Sequence, residues 1–285
     1  LAQTLTIELN DVHRDAHLRI AIADQSTRPE GPRMRRGPPS GGQAISDPIW
    51  LAEGVGYFRI NGLPSTDESV AQMTRTLDEL ASARTLIIDE RRCPGGGPRE
   101  MDVLFSRLYA APTRTMIMDT RTGAGGFAPP PDDPHMRRAS APEGVTRYEQ
   151  WALPTTPVSP LANARVFVLT GRTGSACEHI AQALRETGRA TLVGAHTDGA
   201  GHYGGERSFG GGRFRMFLPV GNSYAPGAQS WEGVGVAPHR EVAVEDALNE
   251  VLREIGAPLD AAANVPPIEI PPRRAAPQAS SSTSQ

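Results

Sequence analysis

Residues 166–201 read VFVLTGRTGSACEHIAQALRETGRATLVGAHTDGAG. Val166 to Leu169 form an apolar run short enough for a buried strand, and Thr170 to Gly174 make a turn. Helical spacing then runs over 175–187, and Gly188 is placed to stop the helix. A second apolar strand follows over 190–193. Working outward, 55–60 suits a strand. Ser65 stands three residues before Glu68, a capping-box spacing, ahead of Val70, Met73, Leu77 and Leu80 on one helical face. A strand over 85–89, a glycine-rich loop over 92–98, a helix over 99–109 and a strand over 114–118 come next. Beyond the quoted stretch lie a strand over 214–218 and a helix over 244–255. Repeated strand-then-helix units predict an α/β fold with a mostly parallel sheet and flanking helices.

Three stretches break the pattern. Residues 25–44 (QSTRPEGPRMRRGPPSGGQA) and 120–160 are rich in Pro, Gly and Arg and read as loops. From 258 to 285 the chain turns to Pro, Ala and Ser, a composition that cannot offset its ordering entropy, so a disordered tail is expected. The resulting division is an N-terminal segment 1–54, a core 55–257 and a tail 258–285. The chain opens at Leu1 in a helical pattern without a charged-then-apolar leader, as expected of a mature or trimmed product.

The 285 residues carry 29 basic and 32 acidic side chains, a net charge of -3. That balance gives no basic face for nucleic acid. No apolar run of 18 residues occurs, so no membrane span is expected. Every basic residue is Arg. The absence of lysine excludes a P-loop lysine, a Schiff base and a Ser-Lys dyad. Two cysteines, Cys93 and Cys177, are too few for a disulfide framework or a four-thiolate zinc site.

Four features could carry chemistry. Ser175 sits where a strand meets a helix, beside unpaired backbone N–H groups at the positive end of the helix dipole. The same position suits an ordinary N-cap, and the hydrolase pattern G-x-S-x-G is not met. A serine nucleophile needs a base, and without lysine the base is one of seven histidines. His17, in DVHRDAHLRI, stands at a strand edge. His179 lies one helical turn beyond Ser175, and His196 and His202 lie in a glycine-rich turn, as rival bases or a metal pair. Their spacing matches no zinc signature, so no metal and no cofactor is expected. Gly95 to Gly97, in RRCPGGGP, let backbone amides approach a ligand. Glu232, in WEGVGVAPH, suits either a buried acid orienting a histidine or a solvated loop carboxylate.

In the order DAHLRI, LIIDERRCPGGG, the 166–201 stretch and WEGVGVAPH, these segments resemble the S41 serine peptidases over roughly residues 5 to 255. The resemblance implies a ClpP/crotonase-like β-β-α spiral core. It implies Ser175 as nucleophile, with the Ala176 amide and one from Gly95 or Gly96 as oxyanion hole, and Glu178 in a structural role. The tail-specific branch carries a lysine where this chain has Ala200. The tricorn and retinoid-binding-module branch, with a D-x-H histidine and an E-G-x-G-V glutamate, is more similar, and it points to His17 and Glu232. The implied activity is hydrolysis of peptide bonds in peptides or unfolded protein by a Ser-His-Glu set. Family habit implies the periplasm, cell envelope or exterior. The alternative is a non-catalytic module for an apolar retinoid or lipid, and an acyl-CoA enzyme on the crotonase architecture comes third. No PDZ signal is present, and a helical portion ahead of the D-x-H motif is expected to be missing. In that fold Cys93 and Cys177 come near one another, and two independent buried thiols are the plainer expectation. Oligomeric state and peptide specificity are not legible.

Overall fold

The structure, a computed structural model, describes residues 1–13, 15, 17–23, 43–125 and 128–270. Most of the 25–44 loop and the tail from 271 onward lie outside the described residues. The strands are β1 (Arg19–Ile22), β2 (Ile49–Ala52), β3 (Val55–Arg59), β4 (Thr85–Asp89), β5 (Thr113–Arg121), β6 (Met136–Ala139), β7 (Val145–Ala152), β8 (Arg165–Thr170), β9 (Thr191–Gly194), β10 (His202–Phe209), β11 (Phe214–Tyr224) and β12 (Arg240–Glu241). The α-helices are α1 (Ala2–Val12), α2 (Asp67–Glu79), α3 (Arg99–Leu108), α4 (Ala176–Glu186) and α5 (Ala247–Glu254).

One six-stranded sheet runs β12-β9-β8-β4-β3-β2, parallel throughout except for β2. Its central strands β4 and β8 are apolar on both faces, as parallel strands covered by crossover helices must be. Leu86 and Ile88 of β4, with Val166 and Val168 of β8, pack in the cluster that holds α2, α3 and α4. Ile87, Phe167 and Leu169 point the other way, onto Leu248, Val251 and Leu252 of α5. Helices α2, α3 and α5 bury the residues their spacing sets on one face, such as Met101, Leu104, Phe105 and Leu108 of α3.

The second six-stranded sheet is antiparallel, in the order β1-β11-β5-β7-β6, with β10 on the other side of β11. This corrects the expectation of a mostly parallel sheet, which describes only half of the strands. The 120–160 stretch is corrected too. Within it lie β6 and β7, and polar cross-strand pairs replace apolar alternation there. Arg147 makes a two-pronged contact with Asp119, at 2.7 Å for each arm, and the Tyr224 hydroxyl joins it at 2.8 Å. Arg137 lies over the Trp151 ring at 4.3 Å.

Two smaller corrections concern caps and the tail. The capping box of α2 is built by Thr66 and Ser69, one residue beyond the expected Ser65–Glu68 pair. Ser65 takes a positive φ of 56° and donates instead to Glu100, through its N–H at 2.7 Å and its hydroxyl at 3.1 Å. Within the expected tail, Leu259–Asn264 forms a 3-10 helix that buries Ala261 against the α5 cluster. None of the helices formed by described residues is long and apolar enough to cross a membrane.

Candidate functional site

Ser175 caps α4 at the carboxyl end of β8, with φ 53° and ψ -121°. A positive φ is unusual for a residue with a side chain and costs roughly 1–3 kcal/mol, so the surroundings must over-determine it. Glu178 does much of this. Its buried carboxyl accepts from Ser175 N–H at 2.8 Å, Gly199 N–H at 2.7 Å, Ala200 N–H at 2.8 Å and the Thr197 hydroxyl at 2.5 Å. Burial pushes that carboxyl up to about 7, against four donors that favour its ionised form. Glu178 thus ties the serine turn to the 197–200 turn. Ala200 offers its backbone N–H there.

The triple-glycine loop lies against this turn. A side chain at Gly95, with φ +100°, would stand 2.7 Å from Gly174 O, 2.7 Å from Ser175 Cβ and 2.9 Å from Ala176 N. One at Gly96, with φ +150°, would overlap Leu63 O at 1.8 Å. Leu63 donates to Gly95 O at 3.0 Å and accepts from Gly97 N–H at 2.7 Å, which fixes the loop from its far side. A third tie corrects the expectation of two separate thiols: Cys93 and Cys177 form a disulfide with Cα atoms 6.1 Å apart. The loop and the first turn of α4 run side by side here, at a separation that suits the bond.

His17 arrives from the other sheet. Its Nε2 lies 3.2 Å from Ser175 Oγ, and its ring stacks on Phe217 of β11 with centroids 5.0 Å apart. Asp15, two residues earlier, accepts the His17 backbone N–H at 2.7 Å through Oδ1, a local turn that aims the imidazole. The loop is anchored to α1, where the Asn10 side chain donates to Leu18 O at 2.8 Å and accepts from Asp15 N–H at 3.2 Å. Thr6 Oγ1 accepts from Ile20 N–H at 2.9 Å.

Glu232 is a loop carboxylate whose Oε2 accepts from Gly201 N–H at 2.7 Å and His202 N–H at 2.8 Å. The same oxygen lies 3.7 Å from His202 Nδ1, and that nitrogen is 2.6 Å from Asp15 Oδ2. Burial resists ionisation of Asp15, but the His202 and His17 hydrogen bonds outweigh it and hold the carboxyl below the usual range. The Asp15 hydrogen bond raises His202 above the ordinary imidazole value, with Glu232 adding to it against burial. Among the described residues, donor atoms of Asp15, His202 and Glu232 lie within 4.8 Å of one another, a closeness that hydrogen bonds account for here. The short Asp15–His202 bond already puts a proton between two of them.

Two of the rival bases, His179 and His202, separate cleanly. His179 is buried in α4, 2.6 Å from Gln150 Oε1 and edge-on to Trp231, and burial pushes it down to about 3. It is a neutral core histidine. His202 belongs to the site, but on the far side of Asp15 from Ser175. Asp15 itself was not singled out from the sequence. The signal was present in the D-x-H spacing, because an aspartate two residues before a histidine can cap the turn that carries it.

A family model, Peptidase family S41, matches residues 54–242. Among solved structures, the chain is similar to a photosystem II D1 C-terminal processing protease, with TM-score 0.52 and 21% identity over 73% of this chain and 47% of that one. It is similar to mature CPAF complexed with lactacystin, with TM-score 0.53 and 16% identity over 74% of this chain and 52% of that one. A lipoprotein from Streptococcus agalactiae gives TM-score 0.59 and 14% identity over 90% and 80%. At these identities the likenesses establish the fold, and the chain spans about half the length of the first two proteins. With a family model that matches about two thirds of its length, from β3 to β12 and through the Ser175 turn, this chain belongs to peptidase family S41.

Proposed function

We propose that the chain is a serine-type peptidase that hydrolyses peptide bonds in peptides or unfolded proteins. The observation that carries this reading is the 3.2 Å approach of His17 Nε2 to Ser175 Oγ, between residues 158 positions apart. His17 takes the Ser175 proton as Oγ attacks the carbonyl carbon. The tetrahedral oxyanion is met by the Ala176 N–H and an amide from Gly95 or Gly96. His17 then returns the proton to the leaving amine, and water, deprotonated by the same imidazole, releases the acyl group. Glu232 orients this set through the 201–202 turn rather than by acting on substrate. Each oxyanion donor is worth roughly 2.7–4 kcal/mol of barrier.

The absence of lysine, with Ala200 at the relevant position, favours the tricorn and retinoid-module branch over the Ser-Lys branch. The parallel sheet with its helical crossovers suits the β-β-α spiral core of that family. The Cys93–Cys177 bond favours an oxidising location, the envelope or exterior of the cell. The alternative of a retinoid or lipid module has no need of a serine with a histidine at hydrogen-bond distance. The test is labelling by a fluorophosphonate probe. Modification at Ser175, lost in Ser175→Ala and strongly slowed in His17→Ala, is expected. Labelling that survives Ser175→Ala unchanged refutes the proposal.

A further inference from the structure

The carboxylate of Asp15 is shared. Oδ1 accepts the backbone N–H of His17, and Oδ2 takes the His202 ring nitrogen at 2.6 Å. Asp15 is buried, with its side chain 1% exposed, whereas the His202 side chain keeps 24% of its surface open. The D-x-H segment therefore does not hold its carboxylate alone. It relies on an imidazole from the opposite side of β11, at the first residue of β10.

His202 is in turn fixed by two bonds to Glu232, its own backbone N–H and that of Gly201 both ending on Oε2. A continuous path results, from Ser175 through His17, Asp15 and His202 to Glu232. We infer that His202 is a positioning residue for the Ser175–His17 pair, holding Asp15 through its Nδ1–H and linking Glu232 to the base. The inference rests on the peptidase reading and deepens it, because it gives Glu232 a route to a base that a loop carboxylate would otherwise have to meet directly.

Geometry argues for this over a mere surface ion pair. A carboxylate that aims a histidine must not rotate, and one backbone N–H leaves Asp15 free to pivot about its own χ angles. A second donor on the other oxygen removes that freedom, and a misplacement of about 1 Å at a catalytic base costs on the order of a hundredfold in rate. The titratable groups facing Asp15 are His202 at the start of β10, 2.6 Å from Oδ2, and His17, whose Nδ1 lies 3.9 Å from Oδ1, with Glu232 behind His202 at 3.7 Å. Phe217 closes the other face of His17 with an apolar ring.

The experiment measures the fluorophosphonate labelling rate of the full chain between pH 5 and 9, beside its melting temperature. His202→Leu removes donor and charge, and should slow labelling about 10- to 100-fold. His202→Asn keeps a neutral donor near the Nδ1 position, and should hold the alkaline rate within about threefold. Both variants should move the acid limb to higher pH, since a cation no longer lies behind Asp15. A purely structural role would lower the rate equally at all pH values and leave the limb in place. That result, or a wild-type rate in His202→Leu, overturns the inference.

A readout independent of activity separates it from the peptidase reading. Imidazole nitrogen shifts, followed by NMR in Ser175→Ala, should show His202 titrating above the ordinary range and returning toward it in Asp15→Asn. An ordinary His202 that Asp15→Asn leaves unmoved overturns the inference even where Ser175 labels normally. Failure of wild-type Ser175 to label, with the His202–Asp15 coupling intact, overturns the peptidase reading alone.

Discussion

The two halves of the site are held by different physics. Ser175 stands on α4, where eight residues, Cys177 to Leu184, are buried and pack on the parallel sheet. His17 stands on an arm of α1 and β1, and α1 buries none of its residues. Side-chain hydrogen bonds from Thr6, Asn10 and Asp15 tie α1 to β1 and to the turn that carries His17, and the arm joins the antiparallel sheet through the four-residue ladder of β1 with β11. The nucleophile is therefore preorganised by the core, and the base by one edge ladder and a short series of polar contacts. Such contacts contribute about 0.5–1.5 kcal/mol each, against roughly 3–5 kcal/mol for a buried aromatic such as Phe167.

The sharpest test of the rigid half is Gly95→Ala. The added methyl meets Gly174 O and Ser175 Cβ at 2.7 Å, and φ +100° suits no other residue. The loop must move away from the serine turn and take an oxyanion amide with it. A loss of about 10²–10³ in labelling rate is expected, with His17→Ser175 geometry untouched. A Gly95→Ala chain that labels at the wild-type rate would show that the loop has no part in the reaction.

Next in size is the Cys93–Cys177 bond, which closes a loop of 84 residues across the same junction. Replacing both cysteines with serine should lower stability by about 2–4 kcal/mol in denaturant titration. The effect belongs to the core half, so exchange protection in α4 should fall while that of β1 stays as it was. Equal loss in both regions would mean that the arm and the core unfold as one unit.

The sequence carried the two halves unequally for the same reason. Strand 85–89 and the helices α3 and α4 were legible because burial on both faces forces continuous apolar runs and i, i+3, i+4 spacing. The antiparallel sheet was legible only in pieces, 114–118 within β5 and 214–218 within β11. Its β10 is largely half-exposed, and β6 (Met136–Ala139) carries two arginines, so no alternation marks them. Ser175, His17 and Glu232 came from their order along the chain. The Asp15–His202 contact did not, because residues 187 positions apart leave no trace in local pattern.

The arm itself is tested by Asn10→Ala, which removes the bonds to Leu18 O and Asp15 N–H. Labelling should slow about tenfold, since the base loses its register, while global stability changes by less than about 1 kcal/mol. A fall in melting temperature as large as that of a core truncation would place α1 in the core's cooperative unit and break the contrast.

The smallest effect is also the most discriminating, because the two regions answer acid with opposite signs. His179, in the core, is held down to about 3 by burial. Below the ordinary imidazole value of about 6.5 the unfolded chain takes a proton that the folded chain refuses, so stability falls as pH drops. At pH 5.5 the loss is about 1.4 kcal/mol, and it grows at up to about 1.4 kcal/mol per unit until the folded group itself titrates. His202, against Asp15, is raised. Its contribution is fully present below about 6.5 and is lost as pH rises through its folded value, while that of Asp15 is lost only as pH falls below about 4. Between pH 8 and 5.5 the exchange protection factors of β1 amides should therefore rise while those of α4 fall. His179→Gln should flatten the α4 trend and leave the β1 trend alone. Parallel trends in both elements would mean that the arm's polar contacts are not what holds it.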